Sequence, residues 1–318
     1  MNEIKIPTIE DIFDAVERIK PYAKRTPVLT SQSINEIIGA EIFFKCENFQ
    51  KVGAFKFRGA VNAVFSLSED EARRGVATHS SGNHAQALAL ASKIKGIPAT
   101  IVMPDNSTKV KIDAVKGYGA EVVFCEPTLQ ARESTLKKVI AQKQATFIHP
   151  YDNYNVIAGA GTSAKELVEE IPNLDYVITP VGGGGLLSGS SISVKSLSAG
   201  TKVVAAEPEG ADDAYRSLIA GKIIPSVNPN TICDGLLTSL SDRTFKIISQ
   251  NVDAIVTLAD KDTSKAMKLI WERMKIIVEH SSATALGILL GGKIDIKGKR
   301  IGIILSGGNV DLEHLHWI

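Results

Sequence analysis

The sequence predicts an α/β protein built on two open, mostly parallel sheets covered by helices, and three observations predict it. Short β-branched apolar runs recur along the chain and stop at Pro or Gly. Helix-compatible stretches fill the intervals between them. The runs are nearly continuous in their apolar character rather than alternating, the pattern of strands buried on both faces. At 318 residues the chain is long enough for two compact lobes or one large domain. A hydrophobic share of 44% against 22% charged residues argues for a sizeable core and against disorder.

The elements follow in order. "TIEDIFDAVERIK" opens as a helix, with Thr8 as N-cap and acids in its first turn, so a helix precedes the first strand. Strands are predicted at 99–104 (ATIVMP), 120–126 (AEVVFCE), 145–150 (ATFIHP), 175–181 (DYVITPV), 202–208 (KVVAAEP) and 300–308 (RIGIILSGG). Helices are predicted in "NHAQALALASKIKG", "STKVKIDAVKGYG", "ARESTLKKVIAQK" and "AGTSAKELVEEI". No internal repeat, low-complexity tract or linker interrupts the pattern.

Composition excludes several function classes. Lys and Arg exceed Asp and Glu by 36 − 35 = 1 with no block of like charge, which argues against nucleic acid as the partner. No apolar run approaches the ~20 residues of a membrane span, and the N-terminus lacks a signal peptide's basic-then-apolar order. Cys46, Cys125 and Cys233 are odd in number and far apart, which fits reduced thiols in the cytoplasm.

Ligands of open parallel sheets collect where strands end and helices begin. Three such loops stand out: "SSGNHAQAL" (80–88), "VGGGGLLSG" (181–189) and "LSGGNVD" (305–311). Four consecutive glycines let backbone N–H groups approach an anion at a helix N-terminus, although a glycine run is equally a bare tight turn. The spacing is neither a P-loop nor a dinucleotide fingerprint. Upstream, "KVGAFKFRGA" (51–60) sets Lys56 between Phe55 and Phe57. Such a lysine either snorkels from a half-buried segment or is desolvated, and so nucleophilic enough to form a Schiff base.

These four motifs, in this order and spacing, resemble those of the fold-type II pyridoxal-phosphate enzymes (the tryptophan synthase β-like fold). Within them the chain is similar to the serine racemases, the serine/threonine dehydratases and the threo-3-hydroxyaspartate ammonia-lyases, from about Pro7 to Asp311. The resemblance implies pyridoxal 5′-phosphate bound to Lys56, with Phe55 against its ring and Asn83 on its hydroxyl oxygen. It implies backbone N–H groups of Gly182, Gly183, Gly184, Gly185 and Leu186 on the phosphate, Ser306 at the pyridine nitrogen, and Glu279 near the ring. A neutral serine at that nitrogen suits elimination and proton exchange better than transamination. The substrate would lie against Ser80, Ser81, Gly82, Asn83 and His84, with Arg132 near its far end. Ser81 matches the second acid/base, on the ring face opposite Lys56, as two-base racemisation requires.

The same resemblance implies a divalent-cation site at Glu207, the carbonyl of Ala211 and Asp213, whose all-oxygen set suits Mg²⁺ or Ca²⁺. It also implies a nucleotide (ATP) effector site at Ser31, Lys51, Lys111 and Tyr118, where Gln32 and Val52 depart from the animal pattern. His280 stands where a proline usually follows the glutamate. The expected organisation is a large cofactor-binding domain of residues 1–65 and 151–318, a small mobile domain of residues 76–150, and a homodimer. The expected activity is interconversion of L- and D-serine together with dehydration of serine. The alternative is dehydration of threonine, serine or threo-3-hydroxyaspartate without significant racemisation.

Overall fold

The computed structural model describes residues 4–312 and residue 315. Among these residues ten strands form two sheets: β1 (Val28–Leu29), β2 (Glu41–Cys46), β3 (Val76–His79), β4 (Ala99–Pro104), β5 (Glu121–Cys125), β6 (Thr146–Phe147), β7 (Tyr176–Pro180), β8 (Lys202–Pro208), β9 (Ala254–Leu258) and β10 (Arg300–Leu305). The larger sheet runs β1-β2-β10-β7-β8-β9 and the smaller β5-β4-β3-β6. Every pairing is parallel except β1 with β2. The α/β architecture with two mostly parallel sheets is therefore as the sequence predicts.

Among the described residues thirteen α-helices cover the sheets: α1 (Ile9–Ile19), α2 (Gln32–Ile38), α3 (Lys56–Phe65), α4 (Glu69–Arg74), α5 (Asn83–Lys95), α6 (Lys109–Gly117), α7 (Leu129–Lys143), α8 (Tyr154–Glu170), α9 (Gly185–Leu197), α10 (Asp213–Ala220), α11 (Asp242–Asn251), α12 (Asp260–Met274) and α13 (His280–Leu290). At the head of α1, Asp11 accepts hydrogen bonds from both the amide and the hydroxyl of Thr8 (2.8 and 3.0 Å), closing the predicted N-terminus. The helix expected from 160 starts earlier, because the Asn153 side chain caps it by accepting from the Val156 amide at 3.0 Å. The strand expected at 145–150 pairs only over Thr146–Phe147. Beyond it the chain turns away at Pro150, which has no N–H to give a ladder.

The central strands are buried on both faces, and β4 is buried throughout. One core cluster packs α12 and α13 on one face of the larger sheet, and another packs α8 and α9 on the other. A third, through Phe57, Leu88, Ile101 and Met103, joins α3 and α5 to the smaller sheet. Helix α3 thus belongs to the seam between the sheets, and its first residue is Lys56.

Two switch points meet at that seam. In the larger sheet β7 and β10 are parallel neighbours, so the loops at 181–184 and 306–309 leave side by side. In the smaller sheet β3 and β6 are neighbours, so the loops at 80–82 and 148–153 do the same. Loops diverging from adjacent parallel strands open a crevice at their carboxyl ends.

Candidate active site

Lys56 is half-buried, and its ammonium donates to the Pro150 carbonyl at 2.8 Å. It also lies 5.1 Å from the centre of the Phe55 ring. Loss of hydration lowers its pKa to about 8, against the opposing pull of the Glu279 carboxylate. A lowered amine pKa is what the Schiff-base reading of this lysine asks for. The Phe55 amide donates to the Ser306 carbonyl at 2.9 Å, so the segment bearing Lys56 is stitched to the loop after β10. Ser306 itself is buried.

The glycine loop stands across the crevice. Gly184 has φ +85°, the left-handed conformation that turns the chain into α9. A Cβ on Gly183 would lie 2.4 Å from the Tyr151 ring, and one on Gly182 would lie 2.9 Å from the Leu236 backbone. No side chain fits at either position. Gly185 begins α9, followed by the buried Leu186, so four backbone units with hydrogen in place of Cβ lead into the positive end of a 13-residue helix.

Asn83, the first residue of α5, reaches Glu279 with its amide nitrogen 3.0 and 3.2 Å from the two carboxylate oxygens. Glu279 is buried, and its pKa is pushed up to about 8 by burial and by the nearby Asp234. Asp234 in turn receives the Lys111 ammonium at 3.2 Å, joining α6 to the turn Asp234–Leu236. His84 is buried, and its Nε2 donates to the Ile148 carbonyl at 3.0 Å. Burial and the charge of Lys56 push its pKa down to about 3, so the ring is neutral. Ser80, Ser81 and Gly82 form the half-buried loop before α5, where the Gly82 amide donates to Ser80 Oγ at 3.3 Å.

Arg132 lies on α7, close enough to His79 to lower that imidazole's pKa further after burial has done so. Its Nε is buried without an acceptor among the described residues. The structure thus brings together Phe55, Lys56, Asn83, His84, Glu279, Ser306 and the glycine loop, with Arg132 beyond the serine loop.

Glu207, Ala211 and Asp213 form a separate group at the carboxyl end of β8. The two Glu207 oxygens accept from the amides of Ala214 and Tyr215, both at 2.8 Å. Asp213 is fully buried, and neither carboxylate oxygen has a donor at close hydrogen-bonding distance among the described residues, the Ser226 hydroxyl and the Leu240 amide standing near it. Burial pushes Glu207 up to about 8 and Asp213 up to about 6. No cluster of three or more His, Cys, Asp or Glu side chains suited to a metal occurs among the described residues, and this group has only two carboxylates.

The four residues expected at a nucleotide site each engage a different neighbour. Ser31 Oγ meets Ser33 Oγ, Lys51 lies over the Phe57 ring, Lys111 pairs with Asp234, and Tyr118 packs into the small-sheet core. His280 is the buried first residue of α13. No helix among the described residues is long and apolar enough to cross a membrane.

Sequence reasoning missed Pro150, Tyr151 and Asn309. The first two sit at a strand's carboxyl end, the criterion that found the other loops, and Pro150 ends the predicted strand itself. Asn309 carries no signal of its own beyond lying in "LSGGNVD". Its amide nitrogen donates to Asn83 Oδ1 at 2.8 Å and to the Val52 carbonyl at 2.7 Å.

Comparison with known proteins agrees with this geometry. The family model described as "Pyridoxal-phosphate dependent enzyme" matches residues 19–307. A serine racemase of Dictyostelium discoideum is 52% identical over 99% of this chain and 98% of its own. A beta-hydroxyaspartate dehydratase of Paracoccus denitrificans is 51% identical over 98% and 99% respectively. The crystal structure of serine racemase from Dictyostelium discoideum superposes with a TM-score of 0.91 at 54% identity, over 96% of this chain and 99% of that one. With the fold and nearly the whole length in common, the chain belongs to the serine racemase family of fold-type II pyridoxal-phosphate-dependent enzymes, which has hydroxyaspartate dehydratases among its close relatives.

Proposed function

We propose that this enzyme interconverts L- and D-serine and also eliminates water from serine to give pyruvate and ammonia. The observation that carries the reading is the Lys56 amine, anchored on Pro150 and lowered to about 8, in the crevice between the serine loop and the glycine loop. The cradle suits the cofactor: side chains are excluded at Gly182 and Gly183, a helix N-terminus faces the phosphate's place, and a desolvated amine stands by to hold the carbonyl carbon. When bound, pyridoxal phosphate supplies the electron sink that makes the α-proton of an attached amino acid removable.

The chain's own groups do the rest. Lys56 takes the α-proton of the L-enantiomer from one face. Ser81, on the loop that faces the crevice from the smaller sheet, returns a proton to the other face, and its failure to do so leaves the β-hydroxyl free to depart. Asn83 and the glycine loop hold the cofactor, Ser306 leaves its ring nitrogen without an ionic partner, and Ser80 with Gly82 binds the substrate carboxylate. Residues 76–150 act as the small domain that closes on residues 1–65 and 151–318. A Mg²⁺ or Ca²⁺ ion at Glu207, Ala211 and Asp213 gives the buried Asp213 carboxylate a close partner and braces α10 against the strand that precedes it.

A second reading, dehydration of threo-3-hydroxyaspartate, has its own support. That substrate carries a second carboxylate, and Arg132 offers a buried Nε without an acceptor beyond the serine loop. A chiral assay of products from L-serine, L-threonine and threo-3-hydroxyaspartate separates the two. D-serine together with pyruvate from L-serine supports the first. Turnover of 3-hydroxyaspartate alone overturns it in favour of the second.

A further inference from the structure

A chain of hydrogen bonds runs from the Val52 carbonyl through Asn309 and Asn83 to Glu279, and its polarity is set at one end. A carbonyl oxygen can only accept, so the amide nitrogen of Asn309, 2.7 Å from Val52 O, is the donor there. The same nitrogen lies 2.8 Å from Asn83, so the Asn83 atom it meets must be the oxygen. The Asn83 nitrogen is then left for Glu279, where it stands at 3.0 and 3.2 Å from the two carboxylate oxygens. An Asn83 amide turned the other way would set nitrogen against nitrogen at Asn309, and that contact rejects it.

The anchor is held in place at some cost. Val52 has φ +56° and ψ +15°, a left-handed conformation that a β-branched residue adopts only under constraint. The constraint is visible: the Gly308 amide donates to the Gly53 carbonyl at 2.9 Å, and Ala54 bridges Gly307. A Cβ on Gly53 would lie 2.8 Å from Asn309 Oδ1. The segment before Lys56 and the loop after β10 are thus clasped together, with Asn309 at the clasp.

We infer that Asn309, anchored on the Val52 carbonyl, is a positioning residue that turns the N–H edge of Asn83 toward the cofactor's ring oxygen. The two oxygens of one carboxylate lie too close together to take both hydrogens of a forked amide. They share one, and the other remains for an ionised ring hydroxyl. Asn309 is exposed and does not itself touch the reacting atoms, so its influence passes through Asn83. The inference rests on the reading, proposed above, that Asn83 faces that oxygen.

The test uses the holoenzyme and the variants Asn309→Ala, Asn309→Asp, Asn83→Ala and the double alanine variant. Two readouts besides activity are the rate at which bound cofactor is lost on dilution and the pH midpoint of its visible absorption band. Asn309→Ala should speed cofactor loss about 2- to 10-fold and move the midpoint, the range expected for one hydrogen bond. Asn309→Asp should do more, since a carboxylate facing Val52 O and Asn83 Oδ1 has no hydrogen to give. The double variant should match Asn83→Ala alone. Asn309 effects that add in full to those of Asn83→Ala overturn the inference, as does an unmoved band in both Asn309 variants when Asn83→Ala moves it. If Asn83→Ala leaves band and release rate unchanged, the reading of Asn83 falls and takes this inference with it.

Discussion

Arg58 grips Glu47 with two parallel hydrogen bonds, Nε to Oε2 at 2.7 Å and NH2 to Oε1 at 2.9 Å, and both residues are buried. The same guanidinium holds both oxygens of Glu166 at 2.7 and 2.8 Å, and the buried Lys45 adds a contact to Glu166 at 2.6 Å. Two cations and two carboxylates thus balance in the core, tying β2, the start of α3 and α8 into one body two residues from Lys56. Removing one member strands a charge, which costs about 3–5 kcal/mol in such networks. Arg58→Ala should therefore lower thermal stability sharply, and Glu47→Gln should do so less, as read by denaturant unfolding. A loss under about 1 kcal/mol for Arg58→Ala would show that the network contributes little.

Borohydride treatment of the yellow holoenzyme should fix the cofactor onto Lys56, whose amine alone combines desolvation with the crevice position. Peptide mapping checks this. Label on Lys51, whose ammonium lies over the Phe57 ring, would displace the assignment.

Ser81→Ala should nearly abolish D-serine formation from L-serine while sparing much of the pyruvate. General acid–base groups contribute about 10²–10⁴-fold, so the loss stands well above assay noise. Both products are followed together in one reaction. An equal fall in each would reduce Ser81 to a carboxylate-binding residue.

Chelation should lower the melting temperature and activity, and Mg²⁺ or Ca²⁺ should restore both. A ligand bound only by the native state at a hundred times its Kd adds about 2.7 kcal/mol. The buried Asp213 carboxylate, with no close hydrogen-bond donor among the described residues, motivates this expectation. Asp213→Asn should melt at the same temperature with and without the ion, and wild type insensitive to chelator would remove the site.

Burial and Asp234 raise Glu279 from 4.5 to about 8, so the folded chain keeps a proton that the unfolded chain releases between those values. Where the native state binds more protons, stability falls as pH rises. Glu279→Gln should flatten that fall: its melting temperature should run close to wild type near about pH 5 and above it near about pH 9. Parallel curves across the range would show that Glu279 does not titrate there.

The architecture was legible in the sequence, and so were the loops that line the crevice. Apolar runs such as "ATIVMP" and "KVVAAEP" match β4 and β8 at both ends, because strands buried on both faces must be continuously apolar. The loops that carry Asn83, the four glycines and Ser306 stood out at strand ends through their composition, whereas Lys56 follows no strand and its role, like those of Asn83 and Ser306, came from the family resemblance. Strands β2 and β3 were not legible: "EIFFKC" hides a buried lysine whose ion-pair partner, Glu166, lies 121 residues on, and "VATH" is four residues long. Only the tertiary structure decided which loops share a crevice, since strand order, not chain order, makes β3 a neighbour of β6 and β7 a neighbour of β10. That order brought Pro150 to Lys56 and Tyr151 to Gly183. It also decided the hydrogen-bond direction along Val52, Asn309, Asn83 and Glu279, because polarity is read from which atoms meet, and sequence carries no record of that.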